Sequence, residues 1–249
     1  MLILLPPSET KRSGGDGTPL DLERLALPSL TDQREASLSA LEELSRDAET
    51  AARVLRLSVR QFGEIEVNAR VRASPAMPAV DRYTGVLYDA LGAASLDSRA
   101  RSWLGRHVLI HSAPLGPVGA LDRIPAYRLG ANLSLPGLPP LRRLWADAVT
   151  SALEVAAPRF VLDLRSEAYA ALGPVPASVP SVFLRVVSEG PDGAVRALNH
   201  FNKHAKGAFV RALAQQRPRI GSPAGVRRWA DAAGWTLRDG APGEWRLMT

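Results

Sequence analysis

NHFNKHAKGAFVRAL, residues Asn199 to Leu213, is the stretch around which the rest of the chain is organised. Read as a helix, it places Phe201, Ala205, Ala208, Phe209, Ala212 and Leu213 at the three-and-four spacing of one apolar face. Lys203, Lys206 and Arg211 then project from the remainder of the cylinder. Upstream, 194–198 reads as a short strand. Downstream, Arg217 to Ile220 runs into Gly221-Ser222-Pro223, with Ser as N-cap and Pro at the first helical position of a second helix, Ala224 to Ala233. Arg227 and Arg228 lie near the start of that helix. Helix, short turn, helix over about 200–233 is the outline of a helix-hairpin-helix, which offers backbone N–H groups and basic side chains to a phosphate backbone. An amphipathic helix pair that closes a core, with its charges solvated, fits the same residues, because exposed Lys and Arg are ordinary on helix surfaces.

The charge distribution bears on this choice. The formal net charge is +6, yet residues 196–249 alone hold ten Lys or Arg against three Asp or Glu. Residues 1–195 are close to neutral, with 21 basic and 22 acidic residues. A basic surplus gathered in one segment is the electrostatic footprint of a polyanion binder. Compositional drift in an Arg-rich chain of pI near 10.3 would raise the charge without gathering it.

Further out, Leu2–Leu5, an apolar run bounded by Pro, and Val108–Ile110 read as buried strands, with Phe160–Leu164 and Val182–Val187 as the third and fourth. Helical spacing predicts Asp32 to Ser45 after a Thr31 cap, Ala48 to Leu57, a helix from Ser58 through Val71, one opening at Asp81-Arg82-Tyr83, and Leu141 to Val155. Tyr83 and Tyr88 stand five apart and so fall on different faces of that helix, one suited to the core and the other to a cleft. Residues 112–117, SAPLGP, read as a loop, and Trp235–Arg238 with Trp245–Met248 as a hairpin. Strands and helices interleave without regular alternation. The expected fold is one compact mixed α/β (α+β) domain over 1–249, a mixed sheet flanked by helices.

The absence of cysteine excludes disulfides, thiolate metal sites and thiol catalysis. The first apolar run is only five residues long and lacks a basic leader, and no later run is long enough for a bilayer, so a cytoplasmic protein without membrane contact is expected. The Gly-rich loop at 13–17 matches neither phosphate-loop nor dinucleotide fingerprint. His200 and His204, four apart, would share a helix face, but no third ligand stands near them, and no metal site is assigned.

Five segments come in the order of a known family: LILLPPSETK, DRYTGVLYDAL, SAPLGPVGALDRIPAYRL, DLRSEAY and NKHAKGAFVRAL. Together they resemble the YaaA-type peroxide stress proteins over essentially the full chain. The most specific pieces are Leu121 to Leu129, matching LD-x-I-x-x-YRL, and Lys203 to Gly207, where the family usually reads K-x-ARG. The resemblance implies a cytoplasmic protein that protects against hydrogen peroxide by limiting unincorporated iron. It also implies a compact mixed α/β fold with a positively charged cleft and a helix-hairpin-helix-like element with DNA affinity. Departures stand at Gly130, where the family carries an acid, at residues 112–116, where S-G-L-Y-G has lost its Tyr, and at Lys206, which replaces Arg and lacks its planar fork.

The family-patterned polar residues follow strand ends: Ser8, Glu9 and Lys11 after the first, Ser112 after the second, Ser166 and Glu167 after the third. A crevice at the carboxyl ends of strands is the usual ligand position in open α/β sheets. The crevice candidates are Ser8, Lys11, Asp122, Tyr127, Arg128 and Glu167, with Glu167 or Asp122 as orienter or base, and Lys203 and Lys206 closing the opposite side. A buried ion-pair network fits the same residues. For double-stranded DNA, bound with little sequence preference, the candidates are Lys203, Lys206, Arg211, Arg227 and Arg228. No cofactor is implied and a monomer is expected. No Ser-His-Asp order, carboxylate pair or zinc motif singles out a reaction, so turnover on a nucleotide-like anionic substrate in the crevice stands beside DNA binding as the second class of function.

Overall fold

A computed structural model describes residues 1–189, 195–196 and 199–249, with side chains for 1–187 and 202–249. Ten strands and ten α-helices are formed among the described residues. The strands are β1 (Leu2–Leu5), β2 (Met77–Pro78), β3 (Val108–Ser112), β4 (Gly116–Gly119), β5 (Arg123–Ile124), β6 (Val161–Asp163), β7 (Ser181–Glu189), β8 (Val195–Arg196), β9 (Leu237–Asp239) and β10 (Glu244–Met248). The helices are α1 (Thr31–Leu44), α2 (Ala48–Val54), α3 (Gly63–Ala69), α4 (Ala79–Arg82), α5 (Val86–Leu91), α6 (Ser98–His107), α7 (Leu141–Ala156), α8 (Glu167–Ala171), α9 (Asn199–Gln216) and α10 (Pro223–Ala232).

The mixed α/β fold expected from the sequence is the one observed. The main sheet runs β4-β3-β1-β6-β7-β10-β9, with β8 paired to the end of β7. Its middle is parallel: β1 pairs with β3 and β6, β6 with β7, and β7 with β10. Both edges are antiparallel, β4 on β3 and β9 on β10. Ile3, Leu4 and Leu5 are all buried, although successive strand residues point to opposite faces. Both faces of β1 are therefore covered, as a parallel sheet requires. Helix α6 packs on β1 and β3, α9 on β7, and α7 on β4.

Several local expectations need correction. Residues 112–117 are no plain loop: Ser112 pairs with Gly116 and His111 with Pro117, closing a tight β3–β4 hairpin. Gly116 turns it with φ +62°, and Trp145 lies so close that a Cβ there would meet its ring at 2.8 Å. The segment from Asp81 is split, because Gly85 at φ +91° separates α4 from α5. Tyr83 thus precedes α5 instead of riding on it. Tyr83 and Tyr88 are both buried, with ring centroids 5.2 Å apart, and Tyr88 also lines a crevice while Tyr83 stays in the core. Ser58 caps only a 3-10 turn before α3, and Thr31 is itself the first residue of α1. Of the expected strand over 194–198, β8 supplies Val195–Arg196 and the rest lies outside the described residues. The C-terminal pair forms as read: Ser222 accepts from the Gly225 N–H and Pro223 opens α10. The expected hairpin of β9 and β10 also forms.

Candidate functional site

Connections leave β1 towards β3 on one side and leave β6 towards β7 on the other. Between these two adjacent strands the chain parts above the sheet, and that is where α/β sheets open a ligand crevice. A cavity of about 810 Å³ lies there. Residues 6–10 after β1 and 165–169 after β6 form two walls; Phe183 and Arg185 of β7, the start of α5, and Asn202, Lys203 and Lys206 of α9 form the others.

Its floor is built on Arg165. The guanidinium is buried and donates to both carboxylate oxygens of Asp163, at 2.9 and 2.7 Å, and to Gly173 O at 2.8 Å. A fourth contact, 2.9 Å, goes to Nδ1 of buried His111, which accepts and so carries its own proton on Nε2. Burial, then the Arg165 charge, holds His111 well below the usual histidine range, so the ring is neutral.

Lys206 reaches the same floor. Its Nζ donates to Leu164 O at 2.8 Å and stands 3.4 Å from Arg165 O, at the end of β6. Among the described residues no carboxylate lies within ion-pair distance of it. Burial lowers its pKa to about 8, with Asp163 opposing and Arg185 reinforcing the shift. Lys203 is exposed at the rim. Arg185 is clamped by Glu244 and Glu167, and its guanidinium sits 5.1 Å from the Phe183 ring centroid.

The crevice candidates therefore divide. Ser8, Glu9, Ser166, Glu167, Lys203 and Lys206 line the cavity. Lys11 turns behind the loop after β1: its Nζ donates to Ser8 O and Glu9 O and stands 4.1 Å over the Tyr127 ring. Burial there lowers its pKa to about 7. Tyr127 is buried and shares a 2.7 Å hydroxyl contact with Tyr83, while Arg128 pairs at 3.4 Å with exposed Glu9. Asp122 does not line the crevice. Its carboxylate accepts from the N–H groups of Ala26 and Gly119, at 2.6 and 2.7 Å, which makes it a brace for the chain after β4. Sequence reasoning passed over Phe183, Arg185 and Arg165. The one signal for the first two was their alternation with buried Val182, Leu184 and Val186 along β7.

The basic candidates divide as well. Arg211 is spent inside the protein, donating to Leu91 O, Gly92 O and Ser95 Oγ. Arg227 pairs with Asp239 and lies 4.5 Å over the Trp245 ring. Arg228 and His204 are exposed. The His200 side chain lies outside the described residues, and among those described no group of three His, Cys, Asp or Glu is placed to hold a metal ion.

A second concavity, about 440 Å³, opens at the far end of α9, around the turn into α10. Arg106, Arg159, Arg217 and Arg219 line it, all exposed. Asp97 stands 3.8 Å from Arg217, and among the described residues the other three have no ion-pair partner. Arg217 ends α9 with φ +51°, the left-handed position that glycine usually fills. Eleven residues of helix at 1.5 Å rise separate Lys206 from Arg217, roughly 16 Å. Of the basic segment read from sequence, Lys203 and Lys206 thus fall at the crevice and Arg217 and Arg219 at the second concavity.

A family model described as peroxide stress protein YaaA matches residues 1–240. The chain is 45% identical to a UPF0246 protein of Corynebacterium efficiens over 95% of its own length and 94% of that relative's. It is also 45% identical to a UPF0246 protein of Streptomyces coelicolor, over 86% and 82%. A UPF0246 protein of Ruegeria pomeroyi is 30% identical over 74% and 72%. No α-helix among the described residues is long and apolar enough to cross a membrane.

Proposed function

The chain belongs to the family of YaaA peroxide stress proteins, and from that premise we propose that it protects DNA under peroxide stress by binding the duplex at the α9–α10 turn. The observation that carries this is the set of four exposed arginines, Arg106, Arg159, Arg217 and Arg219, around one concavity, with Asp97 their one ion-pair partner among the described residues. Guanidinium forks grip phosphate oxygens in pairs, which suits a backbone contact without base readout. The N-terminus of α10, capped by Ser222 and opened by Pro223, adds the positive end of a dipole beside them. Arg228 extends the exposed positive surface along that helix. Limitation of unincorporated iron accompanies this protection as a cellular effect, with the DNA as the ligand of this chain.

The test is salt-titrated binding to a long duplex. Each phosphate contact contributes about −0.9 to the slope of log K against log salt, so four arginines give a slope of roughly −3 to −4. Arg159→Ala with Arg219→Ala should shallow it by roughly two units and reduce survival after peroxide challenge. Both residues are exposed, so the fold should keep its stability to within about 0.5 kcal/mol. A folded double variant with unchanged affinity and slope would refute the assignment.

A further inference from the structure

The crevice at the other end of α9 has features that duplex binding does not use. We propose that it binds a nucleoside monophosphate, with the phosphate on Lys206, the base along Phe183, and the sugar hydroxyls near Glu9 and Glu167.

Four observations converge on that ligand. The cavity lies at the point where the strand connections diverge, and its volume of about 810 Å³ is in the range of small-molecule sites. Arg165 below is spent on Asp163, whereas Lys206 is held in place by main-chain oxygens and not by an acid, so its charge is left for a ligand. Glu9 and Glu167 are exposed carboxylates on two walls of the mouth, paired with Arg128 at 3.4 Å and with Arg185 at 2.8 Å. Each keeps acceptor lone pairs beyond its guanidinium partner, which suit hydroxyl groups. Phe183 offers a half-buried ring beside the cationic groups of Arg185 and Lys206, 5.1 and 5.9 Å from its centroid. One anionic position at depth, acceptors at the rim and an aromatic wall describe a mononucleotide better than a polyanion. The buried ammonium also supplies a pH signature. Its pKa, lowered to about 8 by burial and adjusted by Asp163 and Arg185, makes phosphate affinity fall as pH rises through 8.

The experiment is calorimetric titration of the full-length protein with adenosine 5′-monophosphate and uridine 5′-monophosphate, with adenosine and inorganic phosphate as controls. A short single-stranded oligonucleotide, with and without a 5′-phosphate, separates a free nucleotide from a DNA end as the source. Expected are submillimolar binding of the monophosphates, at least tenfold weaker binding of adenosine and of phosphate, and a loss of affinity between pH 7 and pH 9. Lys206→Gln should weaken the nucleotide at least tenfold. Phe183→Leu, which leaves every charge in place, should weaken the nucleotide but not inorganic phosphate, and it keeps the test decisive if the lysine variant does not fold. Inorganic phosphate binding as tightly as the nucleotide, or no binding of nucleotide or oligonucleotide at 5 mM, would overturn the proposal. Saturating nucleotide should leave duplex affinity unchanged, so failure here is distinguishable from failure of the DNA assignment at the arginines.

Discussion

Gly207→Ala is the substitution for which the packing makes the sharpest forecast. Helices α5 and α9 cross with Gly207 against the main chain of α5. A Cβ built on Gly207 would stand 2.0 Å from Leu87 O and 2.9 Å from Ala90 Cβ. Real contacts stay beyond 3.0 Å, so α5 would have to retreat by about 1 Å, and the nearest obstacle is a backbone oxygen that no rotamer change can move. Overpacking of this kind costs about 1–3 kcal/mol, and a main-chain clash belongs at the upper end. Alanine returns about 1 kcal/mol of helix propensity over glycine, leaving a net loss of roughly 2 kcal/mol. For a chain of this size that lowers the melting temperature by roughly 4–8 °C. Thermal unfolding followed by circular dichroism at one scan rate measures it. A variant that melts within about 1 °C of the parent, or above it, would refute the close crossing. Lys206 is the neighbouring residue, so the same shift should also loosen its hold on Leu164 O and weaken ligand binding in the crevice.

Three other perturbations follow from the same contacts. Below pH 6.5 an unfolded histidine takes up a proton that buried His111 refuses, so the unfolded state binds more protons and stability falls with pH, by about 1.4 kcal/mol per unit from this residue. Urea unfolding at pH 7 and pH 5.5 should show a shallower decline for His111→Asn; parallel declines would contradict a neutral ring. Asp163→Ala strips the buried Arg165 of its carboxylate and should cost about 3–5 kcal/mol in the same assay, with a loss under about 1 kcal/mol counting against that pair as the floor of the crevice. Arg217→Gly relieves a left-handed arginine, so stability should hold or rise by up to about 1 kcal/mol while duplex binding weakens; weakened folding together with intact binding would show that arginine serves the fold.

The strands were legible because Leu2–Leu5, Val108–Ile110, Phe160–Leu164 and Val182–Val187 are largely apolar stretches too short for helices, and each overlaps a strand of the sheet. Strand β4 was not, since Gly116-Pro117-Val118-Gly119 carries the two residues that normally punctuate loops, and only pairing to β3 makes it extended. The crevice wall after β1 and β6 was legible in part, because polar residues at strand ends mark it whatever the chain does next. Asp122 misled for the same reason: a carboxylate after a strand also suits a turn brace, and distance alone separates the two. Lys206 was expected at the crevice, but its depth there was hidden. Helical phase relates it to Lys203, but the approach of α5 at Gly207 and the position of Leu164 O decide that it points inward. The arginine concavity was beyond reach, since Arg106 and Arg159 come from α6 and the turn before β6, far from the basic segment in sequence.

Hydrogen exchange of the intact protein with and without a long duplex tests the placement of DNA most directly. Slowed exchange through residues 217–228 and around Arg106 and Arg159, with residues 6–10 and 165–169 unchanged, is the predicted pattern. Protection confined to residues 6–10 and 165–169, with the α9–α10 turn unchanged, would contradict it and move the duplex to the crevice.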